Sequence, residues 1–318
     1  MIDLVLKALA YSSGIALTAA GITIIYMATR TFNFAHASMV AWGFYVVFAM
    51  YSIFGGTPYY YIPFAALFSG FLGILIYYGV NRHLLKAGAG MVTLMMSTLG
   101  VDLILFASIN IFADYLTEVH KLNARYFVLE LKDISLGKVG GTSIRLIPFV
   151  AVAVVIALII GLHIFLTRTK FGIAIRATIE NTALATVLGI NPEMVYMVSW
   201  FLGGALAGLG GGLLSLVISG YPAIGMTIIV TMFAGAIVGG LYSIFGSLVG
   251  GLLVGLSEYI GIYYLSVLYG GGVLASRLII PLAAMVLALL LYPQGLGGIK
   301  LKPLFTKTSK SSPREGGG

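Results

Sequence analysis

Asn33, His36 and Ser38 stand together in a polar island, Thr29 to Ser38, at the mouth of an apolar run. Asn33 and His36 are three apart and would share a face if helical. Irregular backbone at membrane depth survives only where protein or a water-filled cavity surrounds it. Uncharged donors and acceptors of this kind suit a polar, neutral or zwitterionic solute; a plain capped helix start is the alternative. Ionisable residues inside apolar spans are scarce, and burying them in lipid is costly. Asp102 follows Ser97, Thr98 and Gly100 about a third of the way into one span, and Glu258 lies beside Tyr259 in another. For both, a hydrogen bond to a neighbouring helix and a place on a solute pathway are open. Arg277 and His163 sit near span ends, where they can snorkel and act as anchors.

Enzyme chemistry has nothing to stand on. The four histidines, His36, His83, His120 and His163, show no metal spacing. There is no G-x-x-x-x-G-K-[ST], no nucleophile elbow and no H-E-x-x-H. Gly208 to Leu213 is glycine-rich but breaks G-x-G-x-x-G at its last position, inside an apolar span. No metal, nucleotide or other cofactor is expected. There is no cysteine, hence no thiol chemistry.

The residues that must be positioned lie on long apolar segments. The chain has 318 residues, 60% hydrophobic and 9% charged, with mean hydropathy +1.06. Soluble domains carry roughly 25% charged residues, so an all-α, polytopic integral membrane bundle is expected. Runs long enough to cross fall near 4–28, 34–54, 60–80, 91–113, 146–166, 195–219, 226–245, 248–266 and 276–292. That is nine; weak punctuation at Phe245-Gly246-Ser247 widens the range to eight to ten. Met1-Ile2-Asp3 lacks a basic region before its apolar run, so it reads as a first membrane helix and not as a cleaved signal.

With nine crossings, Arg30, Arg82, Lys86, Arg168, Lys170, Arg176 and the segment from Lys300 share one side, the cytoplasmic one. The loop 114–145, with five basic and four acidic residues, is then external and long enough for a small hairpin or short helix. Residues 1–299 form the membrane domain; 300–318 form a basic tail expected to be disordered and cytoplasmic. The net charge of +8 is dispersed over short loops, which argues against nucleic acid and for contact with membrane lipid.

The longest polar cluster runs from about 168 to 193. Phe171, Ile175 and Ile179 fall on one helical stripe, and Arg168, Lys170 and Arg176 suit an anionic lipid surface. A short second helix follows Glu180. Asn181 or Thr182 can cap its start, Leu188 lies in its last turn, and Gly189 can end it in the left-handed conformation with Ile190 packed back. Asn191-Pro192-Glu193 opens a third helix. A short helix capped at both ends at the membrane surface is a shape another protein can grip; a well-capped loop is the alternative. Gly204, Gly208 and Gly212 then repeat at four-residue spacing, the pattern of close helix packing.

Phe32-Asn33-Phe34-Ala35-His36-Ala37-Ser38 resembles the N-F-A-H-G-[ES] signature of the branched-chain amino acid ABC permeases. Glu180-Asn181 to Gly189-Ile190-Asn191, then Phe201 to Gly208, resembles their E-N-x(7)-G-I-N loop and F-x-x-G-x-x-A-G helix. Val238 to Gly251 matches a glycine-rich segment of the family loosely, and Tyr292-Pro293-Gln294-Gly295-Leu296 is similar to its R-P-Q-G-L ending. The chain looks like the subunit type with the shorter N-terminus. Ala37 replaces a usual glycine and Tyr292 a usual arginine, which loosens any inference about the solute; relatives also move urea and short amides. The resemblance implies a plasma-membrane importer of branched-chain or related amino acids. This chain would pair with a second, related permease, two cytoplasmic ATPase subunits and an external solute-binding protein. Asn33, His36 and Ser38 of the family signature would lie on the solute pathway, and Asp102 is a candidate for it as an intramembrane carboxylate. Arg176, Glu180, Asn181, Leu188, Gly189 and Ile190 would couple it to the ATPases. The rival is a self-contained carrier or channel, which would want more intramembrane charge for ion coupling.

Overall fold

The computed structural model describes residues 2–139, 142–270, 272, 276–292 and 294–298. The tail expected at 300–318, and Pro293 of the ending motif, lie outside the described residues. Twelve α-helices follow in order: α1 (Ile2–Thr29), α2 (His36–Phe54), α3 (Ile62–Ile76), α4 (Arg82–Lys86), α5 (Met91–Val119), α6 (Ile147–Arg168), α7 (Lys170–Glu180), α8 (Thr182–Val187), α9 (Pro192–Leu214), α10 (Ile224–Gly239), α11 (Ile244–Tyr269) and α12 (Ile279–Leu291). A 3-10 turn leads into α3 and a π-helical turn joins it to α4, so 58–86 is one continuous crossing. Among the described residues, eight helices are long and apolar enough to span a membrane, and the chain is a multi-pass helical membrane protein. The ninth apolar segment differs from expectation. It is the 16-residue α10, preceded by irregular chain from 215. A helix of that length reaches only about 24 Å, less than the roughly 30 Å of hydrocarbon. Even so, its flanks reach both faces. Gly220 bridges to Phe127 of the loop after α5, whereas Tyr242 packs edge-on against Tyr26 and lies under Arg30 at the end of α1.

The loop after α5 begins at His120, later than the expected 114, because α5 continues through Val119. It carries a 3-10 turn (Glu130–Lys132) and an antiparallel hairpin of β1 (Ser135–Val139) and β2 (Thr142–Arg145). Phe127 seals it to the bundle by stacking on Phe48 at 3.9 Å between centroids.

The bundle is organised around α9. Its glycines let three helices approach at backbone distance. A side chain at Gly204 or Gly208 would meet the α3 carbonyls of Ser69 or Ala65. At Gly203 it would meet Gly21 O of α1, 2.8 Å away, and at Gly211 the Val40 carbonyl of α2. Gly212 is looser, facing Val47 and Ile62 at 3.3 and 3.4 Å.

Glu258 and Arg277 pair with each other. Arg277 Nε donates to Glu258 Oε1 at 2.9 Å and its Nη2 to Tyr11 Oη at 3.0 Å, while Tyr11 Oη donates to Glu258 Oε2 at 3.1 Å. Arg277 was expected as a headgroup anchor. It turns inward because a carboxylate in a membrane helix is too costly to leave unpaired. Arg277→Met is expected to cost about 3 kcal/mol by stranding Glu258, and Arg277→Met with Glu258→Met to recover most of it. Thermal unfolding in detergent checks this; equal losses in both variants would contradict the ion-pair account.

Candidate functional site

The first half of the site is an interruption in the membrane. After α1 ends at Thr29, residues 30–35 turn back without helix, and α2 starts at His36. His36 Nε2 meets the Thr18 carbonyl at 2.9 Å. Thr18 lies roughly 24 Å along the about 42 Å length of α1, so α2 begins near mid-depth. Its start has no side-chain cap of its own. Asp102 of α5 supplies one: Ser38 N donates to Asp102 Oδ1 at 3.1 Å, and Ser38 Oγ to the Asp102 carbonyl at 3.2 Å. A carboxylate at a helix N-terminus is favoured by the macrodipole. Four residues earlier, Thr98 Oγ1 accepts from Phe34 N at 3.1 Å and lies 3.2 Å from the Phe32 carbonyl. Thus α5 holds the non-helical stretch through two polar residues one turn apart.

Beside this start opens a groove of about 570 Å³ between α5, α10 and α12. Phe32 and Phe34, Leu103 of α5, Met226 and Phe233 of α10 and Leu282 of α12 wall it, and among the described residues Asp102 is its one ionisable lining residue. Phe233 packs against both Phe32 and Phe34, at 5.8 and 5.5 Å between centroids. Of the four pathway candidates, Asp102 lines the groove while remaining 4% exposed. Asn33 and His36, at 1% and 0%, and Ser38 are packed inside, and Asn33 Nδ2 reaches Met39 Sδ at 3.6 Å. The aromatic wall escaped the sequence reading, because isolated Phe residues in apolar spans carry no periodic signal.

The second half projects from the face that carries Arg30 and Arg82. Thr169 caps α7 by accepting from Gly172 N. Ile175 and Ile179 turn onto α1, α6 and α9, whereas Phe171, Arg176 and Glu180 stay exposed. Asn181 caps α8 by accepting from Leu184 N at 2.9 Å. At its other end Gly189 takes φ +82°; Gly189 N bonds Thr186 O and Ile190 N bonds Ala185 O, both at 3.0 Å. That pair of bonds is a Schellman motif. It leaves Val187 and Leu188 82% and 70% exposed at the tip.

Asn191 caps α9, and Glu193 in its first turn is clamped from across the bundle. Arg82 Nη2 lies 2.8 Å and Lys86 Nζ 2.6 Å from its carboxylate. This clamp joins α4 to α9 over 111 positions of sequence, and no local pattern announces it. The segment after α8 is thus tied through Glu193 to the α3–α4 crossing.

Comparison with known proteins gives a consistent result over nearly the whole chain. The family described as branched-chain amino acid transport system / permease component matches residues 4–292. The probable branched-chain amino acid transport permease protein LivH of Methanocaldococcus jannaschii is 39% identical over 93% of this chain and 92% of its own. The high-affinity branched-chain amino acid transport system permease protein LivH of Escherichia coli is 28% identical, covering 89% and 91%. The corresponding BraD protein of Pseudomonas aeruginosa is 27% identical, covering 80% and 83%. No solved structure matches the chain.

Proposed function

The chain belongs to the branched-chain amino acid transport permease family, and from that premise we propose that it is one of two related permease chains in an ABC importer of branched-chain or related amino acids. Two ATPase subunits dock on the basic face, which is cytoplasmic together with the C-terminal end. A solute-binding protein delivers to the hairpin-bearing external face of the cell membrane. The groove beside α2 is this chain's share of the pathway. Asp102 stands on its wall, and Asn33, His36 and Ser38 hold the interrupted helix that shapes it. The segment from Arg168 to Glu193 is the coupling element: Arg176 and Glu180 present charge, and Asn181, Leu188, Gly189 and Ile190 shape the tip.

The observation that carries this reading is α8. It is a pre-formed, apolar-tipped helix fixed to two membrane crossings, in a chain whose relatives are named as transport permeases. A helix that short does not hold itself in water. Its double capping makes sense if a partner grips it. The test is reconstitution with an ATPase, a second permease and a solute-binding protein of the same system in proteoliposomes. ATP-dependent leucine uptake is expected. Leucine uptake by this chain alone, without ATP, would replace the reading with a self-contained carrier.

Orientation is tested separately, using the absence of native cysteine. In sealed cells an impermeant maleimide is expected to label Leu131→Cys in the external loop, and Arg176→Cys only after permeabilisation. Labelling of Arg176→Cys in sealed cells would invert the topology.

A further inference from the structure

Four helices of the first half have counterparts in the last. α1 runs antiparallel to α11, with Gly251 against Ala16 and Gly255 against Ser12. α9 runs antiparallel to α3 in the same manner, with Gly212 against Ile62 and Gly204 against Ser69. α2 and α10 are the two interrupted elements. Each starts after a non-helical stretch, 30–35 or 215–223. Each turns back onto the next helix: Ser69 Oγ of α3 bonds the Met39 carbonyl of α2 at 3.0 Å, and Gly239 of α10 abuts Gly246 of α11. Their starts touch, Gly225 lying on the Ala37 carbonyl. α5 flanks α2, and α12 shares the groove wall with α10. The set α1, α2, α3, α5 thus maps onto α9, α10, α11, α12 once turned upside down. Inverted repeats of this kind place solute sites near mid-membrane, where their interrupted helices meet. The groove lies there, with Phe34 and Asp102 from one set facing Met226, Phe233 and Leu282 from the other.

The two sets differ in one chemical respect. The start of α2 is capped by a carboxylate from its flanking helix, while the start of α10 has no side-chain cap and α12 offers the groove only apolar side chains. The groove therefore carries a single negative group, more than nine-tenths buried. Among the described residues, its side chain's hydrogen bond reaches Oδ1 alone, and no Lys or Arg pairs with it. The half-charge of a helix N-terminus offsets part of the cost of that carboxylate. An ammonium group placed at Oδ2 would offset more, in a setting of low dielectric.

We infer that the chain is an inverted repeat whose junction groove binds the transported solute, with Asp102 receiving its ammonium group and the Phe and Met walls taking its aliphatic side chain. The inference rests on the proposed import function and adds a specificity-determining residue to it.

The test uses the assembled complex without its solute-binding protein, which would otherwise impose its own selectivity. Leu103→Cys gives one reporter thiol in the groove, and its alkylation by a small maleimide is timed. Leucine and 3-methylbutylamine, which carry the ammonium, are expected to slow alkylation; 4-methylpentanoate, which lacks it, is not. Adding Asp102→Asn should raise the amine concentration needed for half protection about tenfold or more. Asparagine still accepts from Ser38 N, so the cap persists while the charge is lost. Protection by the acid equal to that by the amine overturns the assignment in the unaltered groove, whatever the fate of the Asn variant. Absence of protection by any solute, or unchanged amine protection in Asp102→Asn, overturns it too. If such a complex, given back its solute-binding protein, still imports leucine with ATP, the transport reading survives and the site alone fails. If the unaltered complex with its solute-binding protein imports nothing, the transport reading fails.

Discussion

Replacing Val187 and Leu188 together by glutamate is expected to abolish solute-stimulated ATP hydrolysis in the assembled complex while leaving the membrane bundle intact. Both side chains project into open space at the tip of α8, so the change removes nothing from the core. Apolar anchors buried at a partner interface contribute about 2 kcal/mol or more each. Losing two, and introducing two charges, weakens docking by roughly a thousandfold. The geometry explains why the effect should be coupling and not only affinity. α8 is tied at its start by Asn181 and at its end by Gly189, then passes through Asn191 directly into α9. Gly189→Val separates shape from surface chemistry. It leaves the apolar tip but forces a β-branched residue to φ +82°, a cost of about 1 kcal/mol or more, and should weaken stimulation less than the double glutamate. The measurement is ATPase activity with and without solute-loaded binding protein, alongside thermal unfolding of the complex. Full stimulation in the Val187→Glu, Leu188→Glu variant would exclude α8 as the coupling element.

The parts of this reading that rest on short-range chemistry were legible in the chain itself. The cap at Asn181, the left-handed Gly189 and the cap at Asn191 each depend on residues within about four positions. Composition and periodicity were enough for the helical membrane class and for most spans. What stayed hidden depends on pairs far apart in sequence. Asp102 was visible as a costly intramembrane carboxylate, but its partner Ser38 lies 64 positions away. Glu258 and Arg277 were seen separately, yet the pair closes only with Tyr11, 247 positions from Glu258. The upside-down correspondence of the two halves was invisible for a related reason. Helices that face opposite directions share no face pattern when written in one line, and no tandem period survives. The available signal was a pair of interrupted apolar segments at corresponding places, around 30–35 and 215–223. The first was noticed as a polar island. Of the second, 215–219 was read into the end of the 195–219 span, because Leu216, Val217 and Ile218 are apolar, and 220–225 passed as an ordinary connection.

Gly208→Leu is expected to prevent folding of the bundle altogether. Gly208 faces the Ala65 carbonyl and Ser69 of α3, and its own carbonyl lies 2.6 Å from where a side chain on Gly43 of α2 would begin. The two carbonyls are backbone, which cannot rotate aside as a flexible side chain can, and the Ser69 side chain is short and held by its bond to the Met39 carbonyl. Extra methylenes in a packed core usually cost about 1–3 kcal/mol through side-chain adjustment. Here the helices themselves must separate, and α9 touches α1, α2 and α3 at once through Gly203, Gly211 and Gly204. Native domains have only about 5–15 kcal/mol in hand, so loss of three close contacts removes much of it. The matched control is Gly161→Leu in α6, where a side chain would meet nothing within 4 Å. That change also improves helix propensity and should leave the protein unaffected. Yield and monodispersity on size exclusion in detergent, with thermal unfolding of whatever is recovered, compare the two. Recovery of Gly208→Leu as a monodisperse protein with an unchanged Tm would mean that α9 is not the packing centre of the fold.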